Sequence, residues 1–239
     1  MKNWLILVLI LLSVPVIAVP NIGITGLLFQ NGVKANTQLT ATESGGARDL
    51  ITQQLISKFK QQLPKFPSEL TTTLAQSSDF KIFDGEPIVK LWQKQNPQIL
   101  STLAAGTVVA KESATINAKA QPVTTSSPLA ISTAKRYILL GWISQVTANE
   151  DRQPFPGTSK TSLLYNLDIW VEYKLIDTDT QQIITQFIAV GHAGVANILA
   201  TPDASISYNT DALVSDAFHA LAFNIQHGLL VKRQQDSFD

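Results

Sequence analysis

Polar and apolar positions follow two rhythms along this chain. From Leu163 to Ile176 the apolar residues are Leu163, Tyr165, Leu167, Ile169, Val171, Tyr173 and Leu175, with Asn166, Asp168, Glu172 and Lys174 between them. A period of two over that length predicts a strand with one buried and one wet face. Burial should peak in its middle, at Ile169, because the ends lie nearer solvent. Asp177-Thr178-Asp179-Thr180 supplies a tight turn and Gln182 to Val190 the return strand, which makes a hairpin. Arg136 to Thr147 predicts a further strand, followed by a polar loop from Ala148 to Lys160 with Pro154 and Pro156-Gly157. Ile22 to Phe29 reads as a first, largely buried strand, with a turn at Asn31-Gly32, and Phe80 to Phe83 as a short strand.

The second rhythm is helical. After Gly45-Gly46, the residues Ile51, Leu55, Phe59 and Leu63 recur every fourth position and draw one apolar stripe, which Pro64 and Pro67 stop. Leu70 and Leu74 mark a short successor. Glu86-Pro87 and Asn96-Pro97 each open a helix with proline where its missing N–H costs nothing, and Gly106 ends the second. From Thr210 to Val231, Leu213, Ala217, Leu221, Ile225 and Leu229 form a stripe widened by Val214 and Phe218. Asn209 is the expected cap, Asp211 suits the positive end of that helix, and Lys232 and Arg233 suit the negative end. Thr107 to Thr133 breaks both rhythms. It is rich in Ala, Thr and Ser, has no aromatic residue, and reads as an exposed loop or loose hairpin. Interleaved strands and helices predict an α/β fold, a mixed β-sheet with helices packed mainly on one face, as a single domain over residues 19–239.

The N-terminus is different again. Lys2, the apolar run from Trp4 to Leu12, the break at Ser13 and Pro15, and Ala18 together predict an export signal over residues 1–18. The apolar run is shorter than the roughly 20 residues of a membrane span. The alternative is an uncleaved anchor, which would then be the chain's one membrane contact. The 239 residues are 45% apolar and 15% charged, which predicts a folded domain rather than a disordered one. Zero net charge disfavours nucleic-acid binding. The absence of cysteine removes disulfides, thiolate metal sites, cysteine nucleophiles and a lipidated cysteine anchor together.

Catalytic motifs are missing. There is no Gly-x-Ser-x-Gly elbow, phosphate loop, Gly-x-Gly-x-x-Gly or His-Glu-x-x-His, so the sequence predicts no cofactor, no metal and no catalytic residue. His192, His219 and His227 are the only histidines. The latter two lie about two turns apart on one helix, too far to share an ion directly. Asp216 and His219 are spaced to pair on a helix surface. Asp177 and Asp179 open like a calcium loop but lack its glycine and glutamate, so they read as a hairpin turn. Asp168 and Glu172 share a strand face about 13–14 Å apart, too far for a glycosidase pair. Trp170 stands out because it interrupts the polar phase. It predicts either a tryptophan covered by a neighbouring element or an aromatic anchor on an open face, with Asn166, Asp168, Glu172 and Lys174 around it.

Two stretches carry a resemblance. Lys135 to Ile143 reads Lys-Arg-Tyr-Ile-Leu-Leu-Gly-Trp-Ile, and Leu175 to Gln181 reads Leu-Ile-Asp-Thr-Asp-Thr-Gln. In that order, with an exported N-terminus and a closing amphipathic helix, the chain resembles the superfamily of curli secretion channels and penicillin-binding-protein activators. In that superfamily one strand carries Tyr-Ile-Leu-x-Gly, matched here by Tyr137 to Gly141, and the hairpin ends in glycine where this chain has Gln181. The resemblance implies a periplasmic, outer-membrane-associated setting and partners in a secretion, appendage or peptidoglycan-synthesis machinery. It does not extend to a pore, because the segment from Ala148 to Lys160 is too short to supply a membrane-lining hairpin. The expectation is therefore an exported, non-enzymatic accessory or scaffold protein of the bacterial cell envelope that binds other envelope proteins. Alternatives are a ring-forming homo-oligomer and a secreted enzyme with a dispersed site.

Overall fold

The strand predicted from Leu163 onward is an interior strand of the sheet. In a computed structural model that describes residues 19–29, 35–39, 57–106, 135–200 and 209–236, it runs Thr161–Asp177 (β5). Its neighbours are Arg136–Pro154 (β4) and Ile183–Leu199 (β6), both antiparallel to it. Asn21–Phe29 (β1) lies parallel to β4 on the other side, Ala35–Leu39 (β2) continues that side further along β4, and Lys81–Asp84 (β3) pairs parallel to β1. The order β3-β1-β4-β5-β6 is that of a mixed sheet, as the alternation of strands and helices predicts. The expected export segment 1–18, the turn at Asn31-Gly32, the helix start after Gly45-Gly46 and the segment 107–133 lie outside the described residues.

One face of the sheet carries the main core. Phe66–Ala75 (α1) and Thr210–Asp236 (α4) pack there, and Phe66, Leu70, Leu74, Leu213, Ala217, Leu221, Ile225 and Leu229 meet Tyr165, Leu167, Ile169, Val171 and Tyr173. Asn209 caps α4 as expected, its Oδ1 accepting the N–H of Ala212 at 3.1 Å. At the other end Arg233 donates to the backbone oxygen of Asp79 at 3.0 Å. Helix α4 presses so closely on β6 that a β-carbon at Gly191 would stand 2.2 Å from the carbonyl oxygen of Ala217. Leu167, Ile169 and Val171 are all 0% exposed, so the expected peak of burial at Ile169 is a plateau. Helix α4 runs along the neighbouring β6, with Ala217 over Gly191, Asn224 at Val190 and Gly228 at Phe187.

Among the described residues, the second face is covered at one end only. Glu86–Gln95 (α2) and Ile99–Ala104 (α3) bring Val89, Trp92, Ile99 and Leu103 against Ile138, Leu140, Trp142 and Ile176. Glu86 fastens α2 to the sheet by accepting the N–H of Gly26 at 2.7 Å.

Two sequence boundaries need correction. The proline-containing stretch from Ala148 is mostly strand. β4 continues to Pro154, and only residues 155–160 turn. The return strand does not end at Val190 but at Leu199. Both extensions are rich in Ala, Asn and Gly or in charge, and cross-strand pairing with β5 overrides that weak local preference.

A bulge between Ile143 and Gln145 shifts the phase of β4, so Trp142 lies opposite Glu172 while Gln145 lies opposite Trp170. At the hairpin, Gln181 holds φ +57°, a left-handed conformation that costs a side-chain-bearing residue roughly 1 kcal/mol or more. Gln181→Gly relieves that strain against glycine's larger entropy loss. It should raise stability by about 0.5 kcal/mol in denaturant titrations, whereas Gln181→Val should lower it.

Candidate functional site

The candidate residues all come from the polar phase of β5, and the register with β4 and β6 places them. Asn166 lies between Asn149 and Gly194, Asp168 between Thr147 and His192, Trp170 between Gln145 and Val190, and Glu172 between Trp142 and Ile188. Trp170 is 41% exposed, and among the described residues no helix covers it. The hydroxyl of Ser144, at the β4 bulge, donates to the backbone oxygen of Trp170 at 3.2 Å. The face around it is part apolar, since Leu164, Ile188 and Ile198 are exposed on the same side.

Asp168 is tied to a residue the sequence did not connect to it. Its Oδ1 lies 2.7 Å from Nδ1 of His192 on β6. A count outward from Asp179-Thr180 would have set Asp168 opposite Gly191; a register shift between Leu175 and Ile176 moves its partner to His192. Both side chains are partly exposed, and the pair is screened accordingly.

Lys174 is the correction. It belongs to the same phase, but α3 covers that end of the face, and its side chain is buried with 1% exposure. Its Nζ donates to the carbonyl oxygens of Leu103 at 2.7 Å and Ala104 at 2.8 Å, and it lies 3.2 Å from Glu172 and 5.5 Å above the Trp142 ring. It is a clamp on the last turn of α3, not part of an open surface. The sequence hides this because α3 lies some seventy positions upstream of it. Without Lys174, the candidate residues left on this face are Asn166, Asp168, Trp170 and Glu172.

Other expected pairings resolve differently. His219 approaches Glu69 on α1, Nδ1 to Oε1 3.4 Å, rather than forming a pair with Asp216. Burial pushes the Glu69 carboxyl above its ordinary value, with the nearby His219 acting against it. Asp177 takes the turn role. Its Oδ1 accepts the N–H groups of Asp179 and Thr180, both at 2.8 Å. Burial pushes its pKa up, but those bonds and the Lys135 charge outweigh it and hold the carboxyl below its usual value. Among the described residues, no three His, Asp or Glu side chains cluster as metal ligands would, and no helix is long and apolar enough to cross a membrane.

A separate hollow of about 450 Å³ lies between the end of β1 and α3, lined by Leu28, Phe29, Leu100, Ser101, Ala104, Ala105 and Trp142. Its lining is mostly apolar and includes no charged side chain.

No family model and no curated protein matches this chain. Solved structures give distant likenesses. A Xanthomonas campestris protein of family DUF330 is 12% identical, with a TM-score of 0.34, covering 95% of this chain and 93% of its own. A neuraminyllactose-binding hemagglutinin homolog from Helicobacter pylori is 6% identical, TM-score 0.33, covering 90% and 82%. A hypothetical protein of Chlamydia trachomatis is 10% identical, TM-score 0.31, covering 90% and 93%. At this distance the likenesses assign neither a family nor an activity.

Proposed function

We propose that this chain is an exported, non-enzymatic accessory or scaffold protein of the bacterial cell envelope, and that it binds another envelope protein through the open face of β5 and β6. The observation that carries the reading is Trp170, an exposed tryptophan on a rigid interior strand, in a face where Leu164, Ile188 and Ile198 are exposed too. An exposed indole on a stiff support brings large contact area with little entropy to lose, which is how interface anchors work. The export segment and the resemblance to periplasmic activators support the address.

The chemistry of the face supports binding over catalysis. Across the strands the order is Thr147, Asp168, His192. That order sets the carboxylate, not the imidazole, beside the hydroxyl. A nucleophile needs its base next to it and the carboxylate behind, so the sequence of groups is wrong for acyl transfer.

The test is Trp170→Ala in the full chain, captured from envelope extract beside the wild type. The melting temperature should stay nearly unchanged while affinity for a stoichiometric partner falls roughly thirtyfold, the loss expected for an anchor worth about 2 kcal/mol. A variant that binds the same partner equally well, or a purified protein that turns over a substrate, would remove this reading.

A further inference from the structure

The two outer strands of the sheet are built differently. β3 is four residues long and carries Lys81 and Asp84, both exposed, which is how natural edges discourage pairing. β6 is 17 residues long, and from Ile183 to Leu199 it contains no Lys, Arg, Asp, Glu or Pro. A long edge without charge or proline is a template for another strand.

The hydrogen bonds show which part of that edge is free. Asn224 on α4 donates to the backbone oxygen of Val190 at 2.7 Å, so that carbonyl points away from β5 and is already taken. In an antiparallel pair a residue aims its N–H and C=O to the same side, and every second residue repeats the direction. His192, Gly194, Ala196 and Ile198 therefore direct both groups outward. All four are exposed, and among the described residues no backbone partner meets them.

We infer that this edge pairs with the same edge of a second copy of the chain, antiparallel about a two-fold axis at Val195. The occupant follows from the register. With the axis at Val195, His192 meets the other copy's Ile198, and Gly194 meets its Ala196, so each outward N–H and C=O finds a partner. Moving the axis to Gly194 would need the Val190 carbonyl that Asn224 holds. Moving it to an intermediate point would set outward residues against inward ones. Side chains agree with the same axis. Gly194 and Ala196 at its centre leave room for close approach. Val195, which is 41% exposed, meets its own copy as a β-branched pair. An uncharged edge carries no repulsion against itself, whereas a partner of either net charge would gain nothing from it. The pairing leaves Trp170 uncovered on β5, so it is independent of the binding reading above.

Strand pairing alone gives a small interface, so the dimer should form in the micromolar range. Analytical ultracentrifugation of the mature chain from about 1 to 200 µM should show a monomer–dimer equilibrium. Val195→Cys introduces the protein's one thiol at a pair whose α-carbons would lie about 4.5 Å apart, and oxidation should yield a covalent dimer. Ile188→Cys, roughly 45 Å from its counterpart in this register, should not cross-link. Ala196→Pro removes an outward N–H from both copies and should weaken the dimer roughly thirtyfold while the monomer melts normally, because edge proline is tolerated. Ala196→Lys, an exposed substitution that keeps the N–H, provides the same readout should the proline variant fold poorly. A wild type that stays monomeric throughout overturns the inference. So does a dimer that survives both Ala196 variants, a dimeric Val195→Cys protein that does not cross-link, or an assembly larger than two.

Discussion

Ile169→Asp should come close to unfolding the protein. Ile169 is 0% exposed at the centre of β5, with Val146 on one side and Gly191 on the other. Over Gly191 the backbone of α4 sits too close for even a β-carbon, so the site has no room to open a path to water. A carboxylate placed there is desolvated without a donor or cation to meet it. The cost is roughly 4 kcal/mol or more, against the roughly 5–15 kcal/mol that holds a domain together. Asp168→Ala, one residue away, removes only a partly exposed hydrogen bond with His192 and should cost about 0.5 kcal/mol. Ile169→Val measures packing alone at about 1 kcal/mol. Denaturant titrations of the three variants should rank them in that order by a wide margin. Equal losses for Asp168→Ala and Ile169→Asp would mean that the two phases of β5 are misassigned. Because Leu167 and Val171 are as deeply buried as Ile169, aspartate at either should be nearly as harmful.

That strand phase is the part of the fold most legible in the sequence, because a two-residue period records which face is dry. The stripe of α4, its Asn209 cap and the prolines that open α2 are legible for the same reason, since each is a local signal with a local cause. What the sequence conceals is pairing at a distance. The second half of β6, Gly191 to Leu199, has no strong pattern of its own. It is a strand because β5 supplies its hydrogen bonds. The open face was legible at Trp170, whose placement in the polar phase is itself the anomaly. The loss of Lys174 from that face was not legible, since nothing near Lys174 in the chain announces that α3 will close over it.

Lys174→Met should destabilise the protein by roughly 3 kcal/mol, and the contrast with Glu172→Gln shows why. Burying an ammonium is unfavourable unless acceptors and opposite charge meet it, and replacing a buried ion pair with apolar groups is often neutral. Here the groups left behind decide the sign. The Lys174 ammonium donates to the carbonyls of Leu103 and Ala104 in the last turn of α3, and Leu103 accepts the N–H of Gly106 as well, at 3.1 Å. Gly106, with φ +74°, turns the chain away directly after them. Methionine fills the space of the lysine stem but offers no proton, so those carbonyls lose charge-assisted bonds worth about 1.5–3 kcal/mol each in such settings. The contact with the Trp142 ring at 5.5 Å goes with them. Glu172, whose side chain is 31% exposed, can return to water, so Glu172→Gln should cost well under 1 kcal/mol. Thermal melts should place Lys174→Met far below Glu172→Gln. Hydrogen exchange in Lys174→Met should rise first in α3, because the lysine is what fastens that short helix to the sheet. A methionine variant as stable as the wild type, with α3 still protected, would show that Val89, Trp92, Ile99 and Leu103 hold the helix without it.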